Sequence, residues 1–291
     1  MPSLPQILLL AAAAVATNLV CLATAATKPS SGCGKSPPTL TAGGNHTLTV
    51  NDKSRWYLLN LPAAYNNTHP YRLIFTLHAA GGNSSMVAAG QGGYLPWYGL
   101  PPYTADSLGA IYVAPNGLDR GWANRGGEDV TLISEIARSI KSDFCVDESL
   151  VFSVGFSYGA SMSYALACGM AEQFRAVAVQ SGGNMSGCAT GTLRQPVALY
   201  GQHGVDGDLN ITTARAIRDQ FVAVNGCQPS TTVAPAVGSG SHTKVEYQGC
   251  KEGYPVTWIE YDGGHTPQPR DKGQTVTFAA EETWKFFGQF K

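Results

Sequence analysis

The pentapeptide Gly155-Phe156-Ser157-Tyr158-Gly159 places a serine between two glycines in the pattern G-x-S-x-G. In this pattern, called a nucleophile elbow, a strand ends in a sharp turn that exposes the serine hydroxyl, and a helix follows. The pattern alone is weak evidence, because 34 of the 291 residues are glycine. The apolar residues 150–154 before it and the small residues 160–167 after it supply the required strand and helix, so we predict that Ser157 is a nucleophile.

A serine hydroxyl is a poor nucleophile at neutral pH and needs a general base. In folds built around this elbow, the acid and the histidine follow the serine in chain order, on loops at the carboxyl ends of later strands. His265 follows the apolar run 256–261 in a Gly-rich segment, and we predict that it is the base. His203 comes before the acid, and we expect His242 to lie in a Ser/Gly loop far from any strand end.

The acid of such a triad should follow the predicted strand 197–200. Asp206 and Asp208 both lie there. Asp206 is preferred because it lies closer to the His-Gly turn and is followed by glycine, and the other aspartate would cap the helix that starts near Asn210. Asp262, three residues before His265, is expected to form a turn.

Two backbone N–H groups are expected to stabilise the oxyanion of an acyl-transfer reaction. One is that of Tyr158, directly after the nucleophile. The other should follow the buried run 73–77, and we assign it to Ala79, with Ala80 as the neighbour that could replace it. His78 is expected to be structural.

Two Gly-hinged loops at the same edge carry aromatic side chains, at 92–100 and 121–124. Packing explains any single one of these aromatics best. As a group beside a serine site they suggest a pocket for a flat or sugar-like substrate, with Trp97, Tyr98 and Trp122 as the candidate binding residues.

Strands and helices alternate along the chain at the spacing of repeated βαβ units, which predicts an α/β fold with a mostly parallel sheet and helices on both faces. The runs 73–77 and 110–114 are apolar without alternation, as in strands buried on both faces. The predicted strands are 46–50, 54–60 (an antiparallel hairpin), 73–77, 110–114, 150–154, 176–179, 197–200 and 256–261. The predicted helices are 130–140, 159–168, 212–224 and 280–290.

Residues 1–25 are predicted to be a secretory signal peptide, since an uncharged apolar run from residue 7 leads to the small-residue run 23–26. The remaining 26–291 would form one catalytic domain. Five N-glycosylation sequons agree with an extracellular destination. They begin at Asn45, Asn66, Asn83, Asn184 and Asn210.

Six cysteines remain once Cys21 leaves with the signal, and an even number in an exported chain implies three disulfides. The best-supported pair is Cys227–Cys250, because both should lie at the edge opposite the active site. By the same argument Cys145–Cys168 would form at the foot of the elbow unit, which leaves Cys33–Cys188. None of the cysteines has the spacing of a metal site, so no metal is expected.

The formal net charge of −1 and a charged fraction of only 13% offer no basic field for a polyanion, so a nucleic-acid partner is not expected. No segment after the leader approaches the roughly 18 apolar residues needed to span a bilayer. The composition therefore favours a compact extracellular protein that meets uncharged surfaces. It leaves the oligomeric state open.

Four blocks of this chain resemble the fungal feruloyl esterases of types C and D, which are related to carbohydrate esterase family 1 and to polyhydroxybutyrate depolymerases. The blocks occur in the family's order, and the resemblance runs from about residue 30 to 290. It implies an α/β-hydrolase without a cofactor that releases ferulic and related hydroxycinnamic acids from arabinose on plant cell-wall xylan or pectin. The blocks are Ser31-Gly32-Cys33-Gly34-Lys35, Val113-Ala114-Pro115-Asn116-Gly117-Leu118, Gly155-Phe156-Ser157-Tyr158-Gly159 and Asp262-Gly263-Gly264-His265-Thr266-Pro267.

The chain departs from this family pattern in three places. Ala79 stands where those esterases carry a bulky aromatic, the acid loop around Asp206 looks one residue shorter, and the sequon at Asn83 lies near the oxyanion loop. The same machinery could instead deacetylate xylan or depolymerise a polyhydroxyalkanoate. A wall-binding protein with a degenerate hydrolase fold would need a broken triad, whereas all three members are present in order.

Overall fold

The computed structural model describes residues 27–36, 38–188, 191–207, 209–231 and 233–291. The predicted signal peptide and Asp208 lie outside the described residues. Within them, no helix is long and apolar enough to cross a membrane.

A nine-stranded sheet runs through the molecule in the order β1-β2-β4-β3-β5-β6-β7-β9-β8. The six strands from β4 to β9 in this order pair in parallel, and the two ends of the sheet are antiparallel. The strands are β1 Asn45–Val50, β2 Lys53–Asn60, β3 Tyr71–Leu77, β4 Ala110–Pro115, β5 Val146–Phe156, β6 Ala176–Gln180, β7 Ala198–Gly204, β8 His242–Glu246 and β9 Val256–Tyr261. The helices are α1 Ser84–Ala89, α2 Glu128–Asp143, α3 Tyr158–Gly169, α4 Ile211–Val224 and α5 Ala279–Phe287.

The central strands are buried on both faces, which explains their continuous apolar sequence. In β3, Leu73 and Phe75 pack into the cluster formed with α2 and α3, whereas Ile74 between them packs into the cluster that includes Phe286 and Phe287 of α5. A third cluster joins α3 and α4 over the later strands. The predicted α/β architecture is confirmed, with helices covering both faces.

The edge strand β8 was not predicted, and the expectation for His242 was wrong. His242 begins β8 and pairs with Tyr261 at the end of β9, so it lies at the carboxyl edge of the sheet. Its Nδ1 contacts Asp271 Oδ1 at 2.8 Å, and its ring packs against Phe278 at 4.3 Å. The strand is half exposed and rich in polar residues, so its sequence lacks the apolar signal of the buried strands.

Of the three predicted disulfides, Cys227–Cys250 is confirmed. The other two pairings were wrong, because the bonds are Cys33–Cys145 and Cys168–Cys188. Cys145 and Cys168 do belong to the foot of the elbow unit, at the start of β5 and the end of α3. Each nevertheless bonds to a segment that passes that foot.

The first of these segments is the N-terminal one, which lies against the start of β5. The Ser30 N–H donates to the Val146 carbonyl at 2.8 Å, and the Gly32 N–H donates to the Lys141 carbonyl at 2.8 Å. This backbone pairing brings Cys33 to Cys145. The second segment is the connection between β6 and β7. Its residues Cys188 and Leu193 pack in the same apolar cluster as Cys168.

Candidate active site

Ser157 lies in a sharp turn between β5 and α3, with φ 56° and ψ −116°. Non-glycine residues rarely adopt a positive φ, and such strain is concentrated at functional sites. The turn is possible because glycines flank it. A Cβ on Gly155 would lie 2.2 Å from the Gly159 carbonyl oxygen, and a Cβ on Gly159 would lie 2.2 Å from that of Leu77. The G-x-S-x-G pattern therefore forms the sharp strand–turn–helix geometry that a nucleophile elbow requires.

The structure brings His265 to this elbow, since its ring lies 4.5 Å from that of Phe156. His265 is exposed on the loop after β9, where the sequence predicted it. The Tyr261 hydroxyl donates to the Gly264 carbonyl at 3.0 Å and contacts Ser181 Oγ at 3.0 Å. Tyr261 thereby holds the histidine loop against the end of β6.

Asp206 reaches the same edge on the loop after β7. Its N–H donates to the Gly263 carbonyl at 3.2 Å, so this loop and the histidine loop are joined through their backbones. The carboxylate is exposed and has no hydrogen bond among the described residues. The Asp262 side chain binds the loop that precedes β8, because its Oδ2 accepts the Gly240 N–H at 2.5 Å.

The two predicted oxyanion donors have different environments. Tyr158 is the first residue of α3, so its N–H has no acceptor within the helix. The Ala79 N–H instead donates to the Tyr94 hydroxyl at 2.7 Å. Sequence reasoning did not single out Tyr94, although it belongs to the Gly-hinged aromatic loop 92–100. Ala80 is exposed beside it.

His78 has a structural position, as the sequence suggested. It is fully buried, its Nε2 accepts the Gly117 N–H at 3.0 Å, and its Nδ1 donates to the Ala79 carbonyl at 2.8 Å. Burial lowers the pKa of His78 to about 4, and the nearby Arg120 acts in the same direction while the bond to Ala79 opposes it. The neutral ring thus fixes the loop that follows β3.

Two of the three aromatic residues proposed to bind substrate are buried, and their polar atoms hydrogen-bond to the backbone near Ser157. Trp122 is fully buried, and its indole N–H donates to the His78 carbonyl at 2.7 Å. The Tyr98 hydroxyl donates to the Leu77 carbonyl at 2.6 Å and accepts the Phe156 N–H at 2.9 Å. Both rings are buried, and their polar tips bind backbone beside the elbow, so they support the site rather than form its surface. Trp97 is only half buried.

An open cleft of about 460 Å³ lies beside the histidine loop. Its lining combines apolar surface with polar side chains and comes from the loop after β9 and from the 92–100 loop. Lining residues include Gly93, Asp262, Thr266, Gln268 and Arg270.

The chain is 49% identical over 273 residues to feruloyl esterase D of Neurospora crassa, a match covering 92% of this chain and 93% of that protein. It is 45% identical to feruloyl esterase C of Emericella nidulans, over 89% of this chain and 90% of that one. The chain belongs to the fungal feruloyl esterase family. It is accordingly a carboxylic ester hydrolase. No protein-family model matches it.

Solved structures resemble this feruloyl esterase in fold. An acetyl xylan esterase from Aspergillus awamori matches with a TM-score of 0.60 at 17% identity, over 84% of this chain and 99% of that one. A feruloyl esterase module from Clostridium thermocellum matches with a TM-score of 0.52 at 12% identity, over 84% and 89%. At these identities the likeness shows the fold alone, which is that of the α/β-hydrolases.

Proposed function

We propose that this feruloyl esterase works by a serine acyl-enzyme mechanism with Ser157, His265 and Asp206 as its triad. The observation that carries the proposal is the strained turn at Ser157 together with the position of His265. The His265 ring lies 4.5 Å from the ring of Phe156, the residue before Ser157. Asp206 is assigned as the acid because its loop is hydrogen-bonded to the histidine loop through Gly263.

In this mechanism Ser157 attacks the ester carbonyl while His265 takes its proton. The exposed Asp206 carboxylate turns to the imidazole and keeps it in the right tautomer, and the Tyr158 N–H donates to the developing oxyanion. His265 then gives the proton to the departing alcohol. Water releases the acid by the reverse route, so the residues themselves supply all the acid–base chemistry and no cofactor is needed.

The proposed substrates are esters of ferulic and related hydroxycinnamic acids with arabinose in plant cell-wall xylan or pectin. The relatives named feruloyl esterase support the acyl part. The cleft beside the histidine loop supports the alcohol part, because it places polar side chains near the sugar hydroxyl that this histidine protonates. Asp262, Thr266, Gln268 and Arg270 could hydrogen-bond further hydroxyls of such a sugar.

We also propose that the protein is secreted, with residues 1–25 removed as a signal peptide. Four sequon asparagines, Asn45, Asn66, Asn184 and Asn210, are exposed, and Asn83 is half buried. The side-chain oxygens of Asn83 and Asn210 cap the N-termini of α1 and α4. This use of the oxygen leaves the amide nitrogen as the point of glycan attachment.

Ser157→Ala tests the mechanism directly. The variant should fold with an unchanged thermal midpoint and lose turnover of methyl ferulate, whereas an active variant would end the triad assignment. The rates of the wild-type protein on methyl ferulate, methyl sinapate and p-nitrophenyl acetate test the substrate class. A kcat/KM on the cinnamates no higher than on the acetate would move the function toward acetylxylan or polyester hydrolysis.

A further inference from the structure

The Tyr94 hydroxyl accepts a hydrogen bond from the Ala79 N–H, the group that the sequence analysis assigned to the oxyanion. We propose that Tyr94 is itself a catalytic residue, whose O–H donates to the oxyanion while its oxygen accepts the Ala79 N–H at 2.7 Å. This inference rests on the proposed serine mechanism. It replaces the direct contact of Ala79 with one made through a side chain.

Strand register places the Ala79 N–H, which this hydroxyl accepts, level with the nucleophile on the neighbouring strand. Leu77 of β3 pairs with Gly155 of the neighbouring parallel strand β5. Ala79 and Ser157 therefore both lie two residues beyond the same pair, on strands that are about 4.8 Å apart. The helix after the elbow closes onto the same point, because Gly159 approaches the carbonyl oxygens of Leu77 and His78.

Contacts on both sides of Tyr94 hold it at this point. Its ring lies 5.5 Å from that of Tyr98, whose hydroxyl binds the Phe156 N–H. The preceding carbonyl, of Gly93, accepts the Gln268 side-chain amide at 2.6 Å. Gln268 is three residues beyond His265. Tyr94 thus stands between the nucleophile turn and the histidine loop.

The hydrogen-bonding capacity of a phenol suits this role. A phenol has one proton to donate and oxygen lone pairs to accept, and the Ala79 N–H uses a lone pair. Tyr94 is 6% exposed, and burial raises its pKa, with the hydrogen bond from the Ala79 N–H acting in the opposite direction. The hydroxyl therefore keeps its proton at neutral pH. The N–H that it accepts polarises the O–H and strengthens it as a donor.

The chemistry of the reaction makes the contact selective for the transition state. An oxyanion is a stronger acceptor than the ester carbonyl oxygen, so the O–H bond to it strengthens as the tetrahedral intermediate forms. The proton stays on Tyr94 throughout, and the bond weakens again when the carbonyl re-forms. No bond of the tyrosine is made or broken.

The competing interpretation is that Tyr94 merely covers the Ala79 N–H and must move away before that N–H can bind the oxyanion. Tyr94→Phe separates the two, because it removes the donor but also uncovers the N–H. The matched control is Tyr103→Phe, which loses a hydroxyl that has no hydrogen bond among the described residues.

With methyl ferulate, the proposal expects kcat of Tyr94→Phe to fall by about 10²–10³-fold, the loss typical of one oxyanion donor, with little change in KM. Tyr103→Phe should match the wild type. Wild-type or higher kcat in Tyr94→Phe would overturn the proposal and return the role to a backbone N–H of Ala79 or Ala80. If Tyr94→Phe keeps its kcat while Ser157→Ala is inactive, the Tyr94 proposal fails but the serine mechanism stands.

A second measurement separates the oxyanion contact from a general loss of structure. Phenylboronic acid forms a tetrahedral adduct with a serine nucleophile, so its inhibition constant should weaken in Tyr94→Phe while product inhibition by ferulate stays constant. Equal weakening of both would contradict the proposal. If Tyr94→Phe does not fold, 3-fluorotyrosine at position 94 keeps the ring shape and makes the hydroxyl more acidic. A higher kcat is then expected, and an unchanged kcat would overturn the role.

Discussion

His78 accepts the N–H of Gly117 through Nε2 at 3.0 Å, which joins the loop after β3 to the loop after β4. An acceptor at Nε2 requires a lone pair there, so the ring is neutral and carries its proton on Nδ1. Protonation would set an N–H against the Gly117 N–H. The loop that carries Ala79 therefore depends on a histidine that stays uncharged.

This dependence predicts how stability changes with pH. The pKa of His78 falls from 6.5 in the unfolded chain to about 4 in the fold, so its contribution is complete above pH 6.5 and is lost as the pH falls toward 4. The loss amounts to about 3 kcal/mol at most. Urea unfolding at pH 7 and pH 4.5 should show a smaller decrease in His78→Gln than in the wild type. The same decrease in both proteins would assign the pH dependence to other groups.

The close contact at Gly159 predicts that the elbow tolerates no side chain there. Gly159→Ala would press a methyl group onto the Leu77 carbonyl oxygen, so the turn must open and the Ser157 hydroxyl must move. We expect at least a hundredfold loss of kcat/KM, roughly the effect of a 1 Å misplacement of a reacting group. Gly183→Ala is the control, since nothing lies within 4 Å of its added carbon. Equal activity of the two variants would contradict the tight elbow.

The disulfide pairing predicts an unequal loss of stability when each bond is removed. Cys33–Cys145 closes 112 residues of chain, whereas Cys168–Cys188 closes only 20. By loop-closure entropy, the double serine variants should lose about 5 and about 3 kcal/mol of unfolding free energy. Urea denaturation measures both, and peptide mapping of the unreduced protein checks the pairing. The reverse order would show that the entropic model does not govern these bonds.

The choice of triad acid predicts an order of activity between two variants. Asp206→Asn should lower kcat by about 10³–10⁴-fold, because the amide cannot hold the His265 tautomer that accepts the serine proton. Asp208→Asn should lose less. Steady-state rates on methyl ferulate settle the order, and a larger loss in Asp208→Asn would reassign the acid.

The sequence alone determined the central fold and the approximate position of the proposed triad residues. Apolar runs such as 73–77 and 110–114 indicate strands buried on both faces, because only a covered parallel sheet removes such strands from water. The elbow followed from local constraints, since the Ser157 turn needs glycines within two residues of it. His265 followed from chain order, because loops after parallel strands meet at one edge.

Tertiary structure decided what depends on contacts between distant segments. The partners of Cys33 and Cys168 depend on which segment passes the foot of the sheet, and spacing along the chain carries no such information. The edge strand at His242 lacked an apolar pattern because one of its sides faces solvent. The bond from Ala79 to Tyr94 arises only when the 92–100 loop folds over the end of β3, so the sequence could mark both residues but could not join them.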